Sequence, residues 1–381
     1  MKAAGMDKRM LKIAIIGCGK IADEHASQIM RVKGCEIVGV CDREPLMARQ
    51  LCARFPVRGY FSDLNELLSE AKPDIVHITT PPQSHFELAE LCLKSGCHVY
   101  VEKPFTIYED EAKRLIALAN DKGLKITVGH DDQFRHVARR MRALVQSGYL
   151  GGAPVHMESY YCYELGYSGY AGAIIGDKHH WVRRMPGKLL QNVISHGIAR
   201  IAEYLTTESP QVISYGFISP TLKRMGESEI IDELRVIIFE DNIATAYFTF
   251  SSQMRPSLHQ FCIYGPKNSL ILDQDKETLI KLRGVSFKSY AEKFIPPLFM
   301  ARQYIGNLAS NLRTFLANDF HMKAGMKYLI EAFYRSITSD SAVPIPYREI
   351  LLTARIMDCI FHQLNCSEVR AANSCLLSKT N

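Results

Sequence analysis

Short apolar runs alternate with amphipathic stretches through the first third of the chain. The apolar runs predict buried strands at 11–16, 36–41, 74–79, 97–101 and 125–128. The stretches between them have helical spacing and predict helices near 22–32, 44–54, 63–70, 84–95 and 108–122. Because strands that alternate with helices are joined by right-handed crossovers, this α/β region predicts a doubly wound parallel sheet.

The pattern changes after a further predicted helix, at about 134–147, which ends in the turn Gly151-Gly152. Asp241-Asn242 is typical of a hairpin turn, and one strong helix is predicted at about 188–205. The β-rich runs of this region predict strands at 153–163, 211–218, 230–239, 243–250, 258–264 and 269–273. This part of the chain therefore predicts an α+β domain with a large, mainly antiparallel open sheet.

Helical periodicity returns in the final part of the chain. Apolar positions in 299–317 follow helical spacing, and further helices are predicted at 323–338 and 347–365. We interpret 285–320 as a helical insertion and expect the tail after Cys366 to be frayed.

Composition narrows the class of protein. The chain has 381 residues, 47% of them hydrophobic, and a net charge of +6, which does not indicate a nucleic-acid-binding protein. Its eleven cysteines form no CxxC pair, and its N-terminus lacks the apolar region of a signal peptide. We therefore expect reduced thiols and a cytoplasmic protein.

The first predicted strand opens into a glycine-rich turn, Gly17-Cys18-Gly19-Lys20-Ile21-Ala22. A strand that leads through GxGxxA into a helix predicts a site for the phosphates of a dinucleotide, with contacts from Gly17, Gly19, Lys20 and Ile21. Asp42 ends the second strand, where a carboxylate can accept both hydroxyls of the adenosine ribose and so favours NAD. The adjacent Arg43 leaves NADP as the alternative, because a guanidinium can hold a 2′-phosphate.

Two later strands end in residues that would face the same crevice. We predict cofactor contacts from Thr80 and Pro81, which end the third strand, and from His85, at the start of the next helix. The tripeptide Glu102-Lys103-Pro104 directly follows the fourth strand. A lysine at the carboxyl end of that strand predicts an acid/base group beside the cofactor.

These motifs predict the domain organisation. We expect a leader at 1–10, a dinucleotide-binding domain at 11–150, a substrate-binding and oligomerisation domain at 151–366, and a tail at 367–381.

The ordered motifs resemble those of the Gfo/Idh/MocA oxidoreductases. The resemblance rests on GCGKIA, TTPPQSH, SGCHV, EKP, Val128-Gly129-His130 with Phe134, and the closing segment 344–364. It implies a Rossmann domain, a C-terminal open-sheet domain that often forms dimers, and NAD(P)-linked oxidation or reduction of a sugar or cyclitol hydroxyl. It also implies that Glu102 lies near the nicotinamide ribose, that Lys103 is the catalytic lysine, and that the Lys103–Pro104 bond is cis.

The family's third motif pairs an aspartate with a histidine four residues later. His196 is retained here, whereas Asn192 takes the place of the aspartate and Ile194 that of a common glycine. On a continuous helix, Asn192 and His196 would share one face. We therefore predict that Lys103 and His196 share proton transfer and that Asn192 holds a substrate hydroxyl.

Aromatic and basic residues mark 160–184 as a substrate loop. Aromatic rings stack on sugar faces and arginines hold phosphates, so this composition favours a sugar, or a nucleotide-activated sugar, as substrate. We expect no metal, because the two adjacent histidines have no further ligands at metal-binding spacing. The predicted substrate contacts are Tyr161, Tyr163, His179, His180, Trp181 and Arg184.

The insertion at 285–320 and the reaction class leave alternatives open. The insertion is interpreted as a lid or an oligomer contact of a homodimer or homotetramer, with an interfacial membrane helix over 299–317 as the alternative. An NAD-dependent glycosidase that oxidises C3 transiently, and a catalytically silent sugar or nucleotide sensor, remain alternatives to a sugar dehydrogenase.

Overall fold

The computed structural model describes residues 10–163, 176–320 and 323–377. The chain forms two compact units. The first comprises Met1–Asp131 and Gly325–Ile350, and the second comprises Asp132–Ala324 and Leu351–Asn381.

The first unit contains a six-stranded parallel sheet in the order β3-β2-β1-β4-β5-β6, which is the strand order of a Rossmann fold and confirms the predicted fold class. Its strands are β1 (Leu11–Ile16), β2 (Cys35–Cys41), β3 (Tyr60–Phe61), β4 (Ile75–Ile78), β5 (His98–Val101) and β6 (Ile126–Val128). Its helices are α1 (Lys20–Ile29), α2 (Pro45–Arg54), α3 (Leu64–Ala71), α4 (His85–Lys94) and α5 (Glu109–Asp121), joined later in the chain by α11 (Ala324–Thr338).

The central strands are apolar along their length because helices cover both faces of a parallel sheet. Ile13 and Ile15 of β1 are fully buried, as are Ile75 and Val76 of the neighbouring β4. Strand β3 was not predicted, since two residues carry no detectable periodicity.

The second unit contains a seven-stranded sheet in the order β13-β12-β11-β7-β10-β9-β8. Only the β7–β10 pair is parallel among its described pairings, so the sheet is mainly antiparallel, as predicted. The strands are β7 (His156–Cys162), β8 (Gln211–Phe217), β9 (Glu233–Glu240), β10 (Ala244–Ser251), β11 (Leu258–Tyr264), β12 (Asn268–Asp273) and the unpredicted β13 (Thr278–Arg283). The helices are α6 (His136–Gln146), α7 (Lys188–Val193), α8 (Ser195–Ala202), α9 (Pro220–Arg224), α10 (Ala291–Leu316) and α12 (Tyr347–Leu377).

The division between the units differs from the predicted boundary at residue 150. Helix α6 packs on β12 and β13, so the second unit begins at Asp132. Most of α11 and the residues up to Ile350 belong to the first unit, although they lie inside the range predicted for the second domain. Sequence order alone does not reveal that the chain returns in this way.

Two predicted helices and the predicted tail also differ from the structure. The helix expected at 188–205 is two helices, α7 and α8, with Ile194 between them. Helix α10 begins eight residues before the predicted start at 299 and includes Pro296 and Pro297. The backbone beyond Cys366 continues in α12 to Leu377, whereas most of the predicted leader, residues 1–9, lies outside the described residues.

Helix α10 lies along the edge strand β13 with its amide side chains turned toward that strand. The Gln303 side chain accepts from the Lys281 N–H at 2.8 Å and donates to the Lys281 carbonyl at 3.1 Å. Asn307 makes the same pair of bonds with Leu279, at 3.3 and 3.0 Å. Asn311 donates to the Lys276 carbonyl at 3.1 Å. These amides, four residues apart, supply the partners that a further strand would otherwise give to the sheet edge.

We predict that Asn307→Ala lowers the free energy of unfolding by about 2 kcal/mol or more, because the buried N–H and C=O of Leu279 lose their partners. The matched control is Asn311→Ala, which removes a single hydrogen bond at a partly exposed position. It should lower the free energy of unfolding by well under half as much. Urea denaturation followed by circular dichroism measures both, and equal losses would contradict the role assigned to the amides.

Candidate functional site

Gly17 has a conformation that the first unit itself requires. Its φ is +89°, a value that favours glycine, and its N–H donates to the Cys41 carbonyl at 2.8 Å. A Cβ at this position would lie 2.6 Å from Cγ2 of Thr80. The glycine therefore permits β1 to turn directly beneath the end of β4.

Gly19 differs, because nothing in the described structure requires a glycine there. Its φ is −76°, and an added Cβ would have no atom within 4 Å. Gly19 is the N-cap of α1 and has no side chain with which to cap the first-turn N–H groups. Lys20, which is exposed, and Ile21 begin the helix. Open space beside uncapped N–H groups fits the phosphates of a dinucleotide.

The Asp42 carboxylate is fixed beside this turn. One oxygen accepts from the Cys18 N–H at 2.6 Å, and the other accepts from the Glu44 N–H at 2.9 Å. The neighbouring Arg43 is exposed. The carboxylate thus has a defined position at the end of β2, where a ribose hydroxyl can donate to it.

His85 joins the ends of two strands inside the first unit. Its ring is fully buried, with Nε2 2.9 Å from the Thr80 carbonyl and Nδ1 2.9 Å from the Pro104 carbonyl. Burial lowers the pKa of His85, so a neutral ring donates to one of these carbonyls. The Thr80 hydroxyl accepts from Ser84 at 2.8 Å, and Pro81 precedes the short helical turn that leads into α4. The ring holds the loop of Thr80 and Pro81 near Pro104, and its contact with the cofactor stays a prediction.

Glu102 follows β5 and is the end of a buried chain of hydrogen bonds. Its Oε1 accepts from His25 Nε2 at 2.8 Å, and its Oε2 accepts from the Lys103 N–H at 3.0 Å. His25 Nδ1 lies 2.8 Å from His77 Nδ1, and His77 Nε2 lies 2.8 Å from the Tyr334 hydroxyl. These groups come from α1, β4, the residue after β5, and α11. We call Glu102, His25, His77 and Tyr334 the buried relay.

The relay keeps Glu102 ionised. Burial alone would raise the pKa of Glu102, but the hydrogen bond and charge of His25, together with Lys103, lower it to about 2. Burial lowers the pKa of His77, which stacks on Tyr100 with ring centroids 4.6 Å apart. Glu102 therefore presents a carboxylate, and His77 a neutral ring.

Hydrogen-bond counting shows why Glu102 stays in place. If His25 is neutral, its Nε2–H donates to Glu102, His77 donates to His25, and Tyr334 donates to His77. If His25 is protonated, the two other links reverse direction, and His25 Nε2–H still donates to Glu102. The carboxylate is therefore anchored in either protonation state.

Lys103 stands beside this carboxylate. It is half-buried, and the Lys103–Pro104 bond is cis, as the family resemblance implied. Gly129, which follows β6, packs so closely that an added Cβ would lie 2.8 Å from Glu102 Oε1. Strand ends β5 and β6 thus fix the backbone that carries the lysine.

In the second unit, His196 lies beside an acidic residue that we did not predict. The carboxylate of Asp132 is 3.8 Å from His196 Nδ1 and 3.9 Å from Arg200 Nη2. It accepts from the Tyr161 hydroxyl at 2.9 Å and from Gln274 Nε2 at 2.6 Å. Burial alone would raise the pKa of Asp132, but the charges of His196 and Arg200, with the other contacts, hold it well below its ordinary range.

Asp132 supplies the negative charge that Asn192 lacks. The two residues expected on one helix face, Asn192 and His196, lie on α7 and α8 and are separated by the break at Ile194. Both are buried. Asp132 could have been found from its position, because it closely follows a predicted strand in a run of polar residues.

The predicted substrate residues divide into buried and exposed sets. Tyr161 is buried, and its hydroxyl accepts from Tyr163 at 3.0 Å, so these tyrosines extend the Asp132 cluster. His179 and Arg184 are exposed. His180 Nδ1 accepts from the Val182 N–H at 3.3 Å, and its ring lies 5.5 Å from that of Trp181. Residues 164–175 of the predicted loop lie outside the described residues.

The site residues are therefore grouped by unit. Gly17, Gly19, Asp42, Thr80, Glu102 and Lys103 belong to the first unit, and Asn192, His196 and the predicted substrate contacts belong to the second.

Comparison with known proteins agrees with this geometry. Residues 11–130 match the Gfo/Idh/MocA family, described as an oxidoreductase family with an NAD-binding Rossmann fold. Residues 11–130 are therefore similar to the NAD-binding domain of this family. The glycine turn, the uncapped N-terminus of α1 and Asp42 in the first unit fit an NAD(P) cofactor.

Individual relatives match the same region. The chain is 32% identical over 152 residues to D-glucoside 3-dehydrogenase of Escherichia coli, covering 40% of this chain and 43% of that protein. It is 32% identical over 149 residues to UDP-N-acetylglucosamine 3-dehydrogenase of Acidithiobacillus ferrooxidans, covering 39% of this chain and 44% of that protein. The matches thus span less than half the length of these relatives.

A solved structure shows that the fold is shared over nearly the whole chain. The WlbA dehydrogenase from Bordetella pertussis, in complex with NADH and UDP-GlcNAcA, superposes with a TM-score of 0.73 at 16% identity. The superposition covers 94% of this chain and 96% of that one.

We predict that Tyr334→Phe lowers the free energy of unfolding by about 1–3 kcal/mol, because His77 Nε2 loses its buried partner. Tyr60→Phe, which removes a hydroxyl from a half-exposed tyrosine, is the matched control and should change stability by less than about 0.5 kcal/mol. Urea denaturation compares the two variants. A Tyr334→Phe protein as stable as the control would show that the relay is not a stabilising network.

Proposed function

We propose that the protein is an NAD(P)-dependent oxidoreductase that transfers a hydride between nicotinamide and a secondary hydroxyl or ketone of a sugar. The observation that carries this proposal is the set of groups at the carboxyl edge of the first sheet. Open N–H groups follow β1, a fixed carboxylate follows β2, and Glu102-Lys103 follows β5. Ligands of doubly wound sheets bind at this edge.

NAD is the cofactor that these residues favour. The first turn of α1 holds the pyrophosphate, and Asp42 accepts the ribose hydroxyls while repelling a 2′-phosphate. The nicotinamide, when bound, accepts or gives the hydride. The relay holds Glu102 in its ionised form, and Glu102 positions the backbone of Lys103 beside the nicotinamide.

Proton transfer is assigned to Lys103 and His196. Lys103 Nζ takes the proton from the reacting hydroxyl or returns it to the ketone oxygen. His196, whose Nδ1 lies near the Asp132 carboxylate, is the second proton-transfer group. The Asn192 amide holds a substrate hydroxyl. This assignment agrees with the burial of Asn192 and His196.

A nucleotide-activated sugar is the substrate class we favour. Two relatives are named as 3-dehydrogenases of a glucoside and of a UDP-sugar, and these names point to the C3 hydroxyl of a glucose-like ring. Trp181 offers an aromatic surface for the sugar, and the exposed Arg184 offers a cation for a diphosphate.

We also propose that the protein is a homo-oligomer whose copies meet through the sheet of the second unit. Exposed apolar side chains on β8, β9 and β10 support this assignment, since large exposed apolar patches mark contact surfaces. They are Ile213, Tyr215, Phe217, Ile237 and Tyr247.

The cofactor assignment predicts different effects of alanine at the two glycines. Gly19→Ala should lower the melting temperature of the free protein only slightly, because the methyl group enters open space but alanine is a poorer N-cap, and should weaken NADH binding about tenfold or more. Gly17→Ala should lower the melting temperature as well, because its Cβ meets Thr80. Isothermal titration and thermal melts measure both. Unchanged NADH affinity in Gly19→Ala would contradict the phosphate site.

The catalytic assignment predicts that Lys103→Met lowers kcat by about 10²–10⁴-fold while NADH affinity changes only a few-fold. Lys94→Met, at an exposed lysine of α4, is the matched control and should keep full activity. NADH formation is followed with UDP-N-acetylglucosamine, with free N-acetylglucosamine and with a methyl glucoside.

Three outcomes would revise these assignments. Full turnover in Lys103→Met removes the lysine from the chemistry. Equal rates with the nucleotide-linked and the free sugar argue against diphosphate recognition. Cleavage of the glucoside without net NADH formation identifies the glycosidase instead.

A further inference from the structure

Helix α10 has the reverse of the usual orientation of an amphipathic helix. Its amide face binds β13 through Gln303 and Asn307 and binds the preceding turn through Asn311, and its apolar face points away from the chain. Leu298 and Ile305 are each 68% exposed, and Leu316 is 83% exposed. An apolar face of this kind on a surface helix indicates a contact outside the chain.

The apolar face is a continuous stripe. Its members recur at alternating spacings of four and three residues, which keeps them on one side of a helix. The stripe consists of Phe294, Leu298, Ala301, Ile305, Leu308, Leu312 and Phe315. The helix has 26 residues, so at about 1.5 Å per residue it is about 39 Å long. We call this surface the α10 stripe.

The charges around the stripe are mainly basic. Lys288, Lys293, Arg302 and Arg313 are all exposed. The acidic residue of α10 is Glu292, whose carboxylate accepts from the Phe287 N–H at 2.6 Å. An exposed apolar stripe with basic flanks matches the interfacial region of an anionic bilayer, where acyl chains lie below negatively charged headgroups.

The same flanking charges make a second copy of α10 a poorer partner for the α10 stripe than an anionic bilayer. Paired helices place opposite charges on the two sides of the apolar seam. Two copies of α10 would instead bring Arg302 and Arg313 close to the same residues of the partner helix. The charge pattern therefore favours lipid over self-association.

We propose that the α10 stripe binds the surface of anionic membranes, with the helix lying in the plane of the interface. None of the helices in the described residues is long and apolar enough to cross a bilayer. The amides that hold α10 on β13 keep the stripe facing outward. The proposal does not depend on the reaction proposed above, because lipid binding is measured without substrate.

The test is flotation of the full-length protein with phosphatidylglycerol vesicles and with phosphatidylcholine vesicles. We expect flotation with phosphatidylglycerol vesicles. Binding to phosphatidylcholine vesicles should be weaker by about tenfold or more. Ile305→Gln combined with Leu308→Gln should weaken binding about tenfold or more, because it removes apolar contacts at the centre of the stripe. The matched control is Met225→Gln combined with Ile243→Gln, two exposed apolar residues outside α10, and it should float like the wild type.

A second variant separates charge from apolar contact and leaves the stripe intact. Arg302→Gln combined with Arg313→Gln should weaken binding to phosphatidylglycerol about fivefold for each residue, with an unchanged circular dichroism spectrum. Absence of flotation, or equal flotation of the wild type and the stripe variant, overturns the proposal. It is also overturned if the stripe variant changes the oligomeric state in sedimentation velocity while the wild type does not float, since a second copy would then cover the stripe.

Discussion

The first unit depends on one buried anion, the carboxylate of Glu102. A buried charge is tolerated only where charges and hydrogen bonds compensate for lost hydration. Glu102 receives N–H bonds from His25 and from the backbone of Lys103, and Gly129 leaves room for it. Its support extends to Tyr334, more than two hundred residues later in the chain. The position of the lysine beside the cofactor edge therefore depends on contacts made by α11.

A second buried anion organises the second unit in the same way. Asp132 is held by Tyr161 and Gln274 and lies close to His196 and Arg200. Asn192 stands where the Gfo/Idh/MocA motif that this chain resembles has an aspartate. The charge near His196 is thus kept, although it comes from a residue sixty positions earlier in the chain.

Features that depend on neighbouring residues could be predicted from the sequence. The glycine turn, Asp42 and Glu102-Lys103-Pro104 each combine a strand with the residues that follow it, and periodicity locates most of the strands and helices. Features that depend on distant contacts could not. The pairing of His77 with Tyr334, and the return of 325–350 to the first unit, leave no local signal. The sequence around Asn192 likewise does not reveal that Asp132 brings a carboxylate near His196.

Helix α10 shows where periodicity stops being informative. Its spacing reveals two faces but not which of them turns inward. A helix that packs on the face of a sheet meets side chains, and its apolar side turns in. Helix α10 instead packs along an edge strand, where it meets the N–H and C=O groups of Leu279 and Lys281. Because only polar side chains can satisfy those groups, the amides turn in. Hydrogen bonding at one sheet edge thus determines that the apolar residues of α10 face outward.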